Sequence, residues 1–142
     1  MKKLLMMMFI GVSVAFVACG QKIDASKVPA AVKASFAKEY PGITPKWEKE
    51  NGNYEVNFKQ NGNTMSLLIM PNGSIVETET DIRVDELPAT VLAYVKEHYP
   101  GKNIKEAAKI TRADRSMNYE AEVNHKDLIF DVNGKFIKEA KD

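Results

Sequence analysis

Val28-Pro29-Ala30-Ala31-Val32-Lys33-Ala34-Ser35-Phe36-Ala37-Lys38-Glu39-Tyr40-Pro41-Gly42 returns without a gap as Leu87-Pro88-Ala89-Thr90-Val91-Leu92-Ala93-Tyr94-Val95-Lys96-Glu97-His98-Tyr99-Pro100-Gly101. The offset is 59 residues, and seven of the fourteen positions from the proline onward are identical, so the chain is internally duplicated. Val28, Val32, Phe36 and Tyr40 fall on every fourth position, as do Leu87, Val91, Val95 and Tyr99. That spacing lays one apolar stripe along a helix of about four turns. Ser26 and Asp85, three positions before each proline, are N-cap residue types. Proline suits the first turn, and Pro-Gly ends the helix.

Turn signals then predict a β-meander behind each helix. Asn61-Gly62 reads as a two-residue hairpin turn, pairing Phe58 with Met65, Val56 with Leu67 and Tyr54 with Ile69. Asn51-Gly52 places Trp47 against Val56, and Asn72-Gly73 places Ile69 against Val76 and Leu67 against Thr78. In the second half, a turn at His125-Lys126 pairs Val123 with Leu128, Ala121 with Phe130 and Tyr119 with Val132. Asn133-Gly134 sets Phe130 against Ile137, and Asp114-Arg115 sets Ile110 against Tyr119. The apolar residues then share one face in both halves, and a one-residue slip would break that agreement.

Each unit is thus a helix followed by four antiparallel strands, over about residues 26–82 and 85–140. A unit of about sixty residues buries too little surface to stand alone. The expected fold class is therefore α+β: two tandem α-β-β-β-β units forming one eight-stranded antiparallel sheet, with both helices packed on one face. Residues 26–142 make a single domain, with Thr78 to Asp85 crossing between the halves.

Pro-x-x-Val-x-x-x-Phe-x-x-x-Tyr-Pro-Gly from Pro29, Asn72-Gly73-Ser74-Ile75-Val76-Glu77-Thr78-Glu79-Thr80-Asp81-Ile82, and the second Leu87-Pro88…Tyr99-Pro100-Gly101 together resemble the PepSY-like lipoproteins of Bacteroidetes. The tandem units of that family are similar in fold to the β-lactamase inhibitory protein. The resemblance spans roughly residues 26 to 140 and rests on helix stripes, turns and core positions. It implies a sheet that receives a protein partner, and PepSY modules elsewhere are associated with restraining peptidases. No inhibitor contact residue carries over.

The N-terminus reads as an address. Met1-Lys2-Lys3 is a basic start, Leu4 to Val17 an apolar run too short for a bilayer span of about 20 residues, and Ala18-Cys19-Gly20 a small-residue junction. Phe16-Val17-Ala18-Cys19 resembles a lipobox, with Phe16 departing from the usual Leu. The resemblance implies a signal peptide over 1–18, cleavage before Cys19 and lipidation of its thiol; a buried free thiol in an uncleaved helix is the alternative. Residues 19–25 are then a lipidated tether, of which Gly20 to Ala25 reaches at most about 20 Å. Multiple acyl chains give stable anchoring. Gly20 in place of Asp matches outer-membrane sorting in bacteria that follow that rule. The expected location is the bacterial cell envelope.

The 142 residues are 44% hydrophobic and 27% charged, which suits one globular domain and argues against a disordered or multi-span chain. Without Lys2 and Lys3, eighteen basic residues face nineteen acidic ones, giving no electrostatic reason to bind nucleic acid. One cysteine makes no internal disulfide, and zinc-site spacings are missing.

No catalytic constellation stands out. His98 lies in the second helix and His125 in a tight turn, without a Ser or Cys nucleophile at a recognisable motif. They read as a helix-surface and a turn histidine. No phosphate loop, dinucleotide fingerprint or cofactor motif is present. Glu77, Glu79 and Asp81 alternate along one strand and share a face; they suit either Ca²⁺ ligation or an ordinary half-exposed strand. Glu120 is expected to face Asp131, with Lys109 on its other side, as a local salt cluster.

Apolar residues on the face away from the helices are more informative. The registers put Leu68, Met70, Ile75, Ile129 and Phe136 there, with Met70 paired to Ile75. They read either as scattered exposed hydrophobes or as a recognition patch, rimmed by Glu55, Asn57, Lys59, Ser66, Glu120 and Glu122. The function expected is a membrane-tethered, non-enzymatic module that binds an exported or envelope protein through this open face. A small-ligand or metal-binding lipoprotein and a structural envelope component are the alternatives.

Overall fold

Each copy of the duplicated stretch folds as a ten-residue helix, Ala30–Glu39 (α1) and Ala89–His98 (α2). The computed structural model describes residues 20–140. The helices are shorter than expected, under three turns, because the chain upstream of each takes a different shape. Ala25–Lys27 and Val84–Glu86 form 3₁₀ turns, and Pro29 and Pro88 stand at the N-caps with extended backbone. Ser26 and Asp85 therefore sit inside the 3₁₀ turns and do not cap the helices. Asp24 accepts from the Ser26 amide, and Glu86 accepts from the Arg83 amide.

Nine strands make one antiparallel sheet, in sequence order: Gln21–Ile23 (β1), Lys46–Glu50 (β2), Asn53–Gln60 (β3), Asn63–Ile69 (β4), Ile75–Ile82 (β5), Ile104–Arg112 (β6), Met117–Val123 (β7), Lys126–Asp131 (β8) and Phe136–Ala140 (β9). The described residues thus give the sheet nine strands where eight were expected. The addition is β1, three residues long with little apolar content, which pairs Ile23 with Trp47 on β2. Three residues of the anticipated tether, Gln21 to Ile23, are consequently docked on the sheet edge. Cys19 and the signal segment 1–18 lie outside the described residues.

The stripes pack as their spacing requires. Val28, Val32 and Phe36 meet Trp47, Tyr54, Val56, Phe58, Leu67 and Ile69 in one core. Leu87, Val91 and Val95 meet Ala107, Ala121, Val123, Leu128 and Phe130 in a second. Both helices lie on the same face of the sheet, and β5 pairs with β6 to join the halves. The cores solve one problem with different side chains. In the first, the Phe36 ring sits 5.7 Å from Trp47 and 5.1 Å from Phe58. In the second the equivalent position is Val95, and Tyr94 stacks on Phe136 at 4.7 Å and meets Phe130 edge-on at 5.4 Å.

Four registers depart from the sequence reading, and turn geometry explains each. At Asn72-Gly73 and Asn133-Gly134 the loop has three residues, not two. The Gly73 amide donates to the Met70 carbonyl and the Met70 amide to the Ser74 carbonyl; Gly134, Asp131 and Lys135 repeat the pattern. Each glycine has positive φ, as a type I turn closed by a left-handed residue requires. The odd loop length opposes Ile69 to Ile75, and Phe130 to Phe136. A bulge then restores Leu67 opposite Thr78 and pairs Ile129 with Lys138. Ile75 and Phe136 therefore face the helices and pack against the first and second cores. Neither belongs to the open face, and Met70 lies in the turn and pairs with no strand residue.

Ala113-Asp114-Arg115 is likewise a three-residue loop, with Arg115 at φ 69°. Lys109 now opposes Tyr119, and Ile110 opposes Asn118, which turns Ile110 to the open face. The β7–β8 hairpin turns at Asn124-His125, both at positive φ, one residue earlier than expected. Asn tolerates that conformation better than Lys126 would. Ala121 thus pairs with Leu128 and Tyr119 with Phe130, a slip of two that leaves every face unchanged. The hairpin at Asn61-Gly62 has the expected pairs.

Candidate functional site

Among the described residues no helix lies on the second face of the sheet, and the side chains there form rows across the strands. One row runs Lys22, Glu48, Glu55, Leu68, Glu77, Arg112. The next runs Lys46, Asn57, Ser66, Glu79, Ile110, Asn118, Asp131. A third runs Asp81, Ala108, Glu120, Ile129, Lys138, and a fourth Glu106, Glu122, Asp127, Ala140. Lys22, Lys46 and Lys138 stand on the outer strands and Lys59 at the end of β3, whereas carboxyls collect at the centre. The anticipated apolar patch with a polar rim is inverted: carboxyls form the floor.

Of the five residues expected here, two are in place on strands. Leu68 is half-buried on β4, and Ile129 is buried with Ile110 and Ala140 in a small cluster of its own. Met70 is 41% exposed in the turn beyond β4. Ile75 and Phe136 are on the helix side, as described above. Ile110 is the contribution that sequence reading missed, since the two-residue turn assumed at Asp114-Arg115 pointed it inward.

The carboxyls occupy an unusual electrostatic setting. An open hollow of about 120 Å³ is lined by Glu50, Glu55, Leu68, Glu77, Glu79 and Asp81, with Asn57 and Ser66. Glu50 is 7% exposed with both carboxyl oxygens buried, and the group it hydrogen-bonds is another acid, Glu55. One Glu120 oxygen is buried and unpartnered. The expected salt cluster at Glu120 is not formed, because Glu120 opposes Ala108 and Ile129 instead of Lys109 and Asp131.

Burial disfavours the charged form of each group, and neighbouring carboxyls add to it. Glu55 is pushed up to about 7 by burial and by Glu50 and Glu48. Glu79 reaches about 8 through burial, then Asp81, Glu77 and Glu55. Glu120 reaches about 9, through burial first and Glu79 next. Glu77 is raised by burial against the opposing pull of Arg112, whose Nε lies 3.5 Å from a Glu77 oxygen. Arg112 also donates to Asn118. Glu50 and Asp81 are raised chiefly by burial. At neutral pH, Glu79 and Glu120 hold their protons.

Glu77, Glu79 and Asp81 share the face as their alternation required. Among the described residues no three acidic, His or Cys side chains converge in a group able to hold a metal ion. The histidines are apart from this face. His98 stacks on Tyr94 at the end of α2, with Nδ1 3.0 Å from the Tyr94 carbonyl, and His125 is in its turn. Among the described residues no helix is long and apolar enough to cross a membrane.

The family described as "Putative beta-lactamase-inhibitor-like, PepSY-like" matches the chain twice, over residues 17–77 and 70–138. The chain belongs to this PepSY-like family. The double match follows the duplication, one copy per helix and meander. No curated protein matches the chain. Solved structures share the fold. A DUF2874 family protein of Bacteroides ovatus is 25% identical with a TM-score of 0.70, over 78% of this chain and 85% of that one. A BLIP-like protein of Bacteroides fragilis is 24% identical, TM-score 0.66, over 78% and 84%. A Bacteroides eggerthii structure described as "putative periplasmic proteins" is 18% identical, TM-score 0.72, over 79% and 87%. The family is characterised by an inhibitor-like fold and not by a reaction.

Proposed function

We propose that this PepSY-like protein is a lipid-anchored, non-enzymatic binding module of the bacterial cell envelope, holding an exported protein on the open face of its sheet. The observation that carries the reading is Glu50, a buried carboxyl whose hydrogen-bond partner is another acid, Glu55, in a hollow that no element among the described residues covers. Burial beside other carboxyls disfavours the charged form of Glu50, so a fold that retains it at an open hollow has a use for it there. Half-buried Leu68 beside it supplies apolar contact, as the centre of an interface needs. The family fold and the neighbours described as periplasmic support the location.

Anchoring rests on Cys19, and β1 begins two residues later. The sheet edge at β1 would therefore ride next to the bilayer, with a shorter leash than the sequence alone suggested. Labelling cells with a fatty-acid analogue tests this part: Cys19→Ala should abolish incorporation, and unchanged labelling would defeat it. A photo-crosslinking residue tests the face. Placed at Leu68, it should yield a discrete covalent adduct with an envelope protein in cells; placed at Lys33 on α1, it should not. Adducts from Lys33 alone would move the site to the helices.

A further inference from the structure

Resting on that reading, we infer that the partner inserts a lysine or arginine side chain of an extended segment into the hollow between β2 and β5, where Glu50, Glu55 and Glu79 receive it. The charge layout points to this chemistry. Carboxyls from β2, β3 and β5 line one hollow, while Lys22 and Lys46 stand toward the β1 edge and Lys138 toward β9. Two cations, Arg112 and Lys138, act on this group from its far side, both at Glu77. Glu50 lines the hollow and hydrogen-bonds to the Glu55 carboxyl, a bond that needs a proton on the pair and that a cation replaces when the proton leaves. A guanidinium or ammonium carries several donors on one centre and satisfies two or three carboxyl oxygens together.

A divalent cation fits less well. It demands six or more oxygens at one point, whereas these carboxyls are strung along the face and no three converge on a metal position among the described residues. A basic side chain needs only one or two carboxylates at a time. The hollow, about 120 Å³, has room for one such side chain and not for a folded element.

The arrangement also fixes how binding responds to pH. A cation pairs with ionised carboxylates, and Glu55 and Glu79 ionise at about 7 and about 8. Binding must therefore expel protons below those values and tighten as pH rises through them.

The test uses the full chain in non-ionic detergent and a fluorescein-labelled hexa-arginine peptide, read by anisotropy at low salt. The peptide should bind, and its affinity should rise at least tenfold from about pH 6 to about pH 9. Glu50→Gln with Glu79→Gln should weaken it at least tenfold at the higher pH, while Glu97→Gln on α2 should leave it unchanged. Glu55→Gln alone is the second variant, expected to lose severalfold, should the double variant misfold. Equal binding by the hollow variants, equal binding of hexa-glutamate, or affinity that falls with pH would overturn the inference. So would stoichiometric Ca²⁺ binding that displaces the peptide, which would assign the hollow to a metal. An adduct at Leu68 without peptide binding would defeat the basic side chain and leave the docking face standing. Peptide binding without that adduct would do the reverse.

Discussion

Replacing Glu79 and Glu120 by Gln should make the protein more stable in mild alkali and less sensitive to pH, with Glu55, at about 7, leaving a smaller residual dependence. A free glutamate titrates near 4.5; in the fold Glu79 titrates at about 8 and Glu120 at about 9. Between those limits the folded state holds protons that the unfolded chain has released. Raising the pH therefore removes stability, and the stability is complete only below about 4.5. At about 1.4 kcal/mol per pH unit, the distance from 4.5 to about 8 for Glu79 alone corresponds to about 5 kcal/mol. The two residues do not add, since each charge raises the other, and water reaching these half-exposed side chains screens both. A loss of about 3 kcal/mol between about pH 6 and about pH 9 is the expected size, set against a typical total of about 5–15 kcal/mol. Urea unfolding at the two pH values reads it directly: with a slope of about 1.5 kcal/mol per molar, the midpoint should fall by about 2 M. The double variant should lose most of that fall. A wild-type midpoint that stays flat or rises over this range would refute the buried-carboxyl account of the open face, as would a double variant with an undiminished fall.

Phe136→Ser should destabilise the fold by about 2–4 kcal/mol, because the ring stacks on Tyr94 in the second core; Met70→Ser, in an exposed turn, should stay within about 0.5 kcal/mol. Equal effects in calorimetry would return both residues to one surface. Phe36→Ala and Val95→Ala should each cost several kcal/mol, about 2–5 for a large buried side chain, and each variant should melt in one transition because β5 and β6 join the halves. Two separated melts would mean that the two cores fold independently.

The helical layer was legible because its signal is redundant. Val32 and Val91 stand at zero exposure where the four-residue spacing put them. The first hairpin was legible too, since Asn61-Gly62 is a true two-residue turn. The same dipeptide at 72–73 and 133–134 closes a three-residue loop, and sequence does not distinguish the two, because Gly needs positive φ in both. That ambiguity of one residue sent Ile75 and Phe136 to the wrong face, and its counterpart at Asp114-Arg115 hid Ile110. β1 was invisible for another reason: Gln21-Lys22-Ile23 has too little apolar content to signal a strand, and pairing with β2 defines it. The carboxyls of the open face were individually visible as alternating acids. Their significance comes from five or more strands stacking them in rows, a relation between distant residues that no local pattern carries.

The open face as docking surface is tested most directly by methyl spectra of the full chain in detergent, labelled at Leu, Ile and Val, with the partner recovered from the Leu68 adduct added stepwise. Leu68 on β4 and Ile129 on β8 should shift or broaden, while Leu92 on α2 and Val132 in the last turn, both exposed, should keep their positions. Perturbation confined to Leu92 and Val132, with Leu68 and Ile129 unmoved, would place the partner on the helix side and contradict the account.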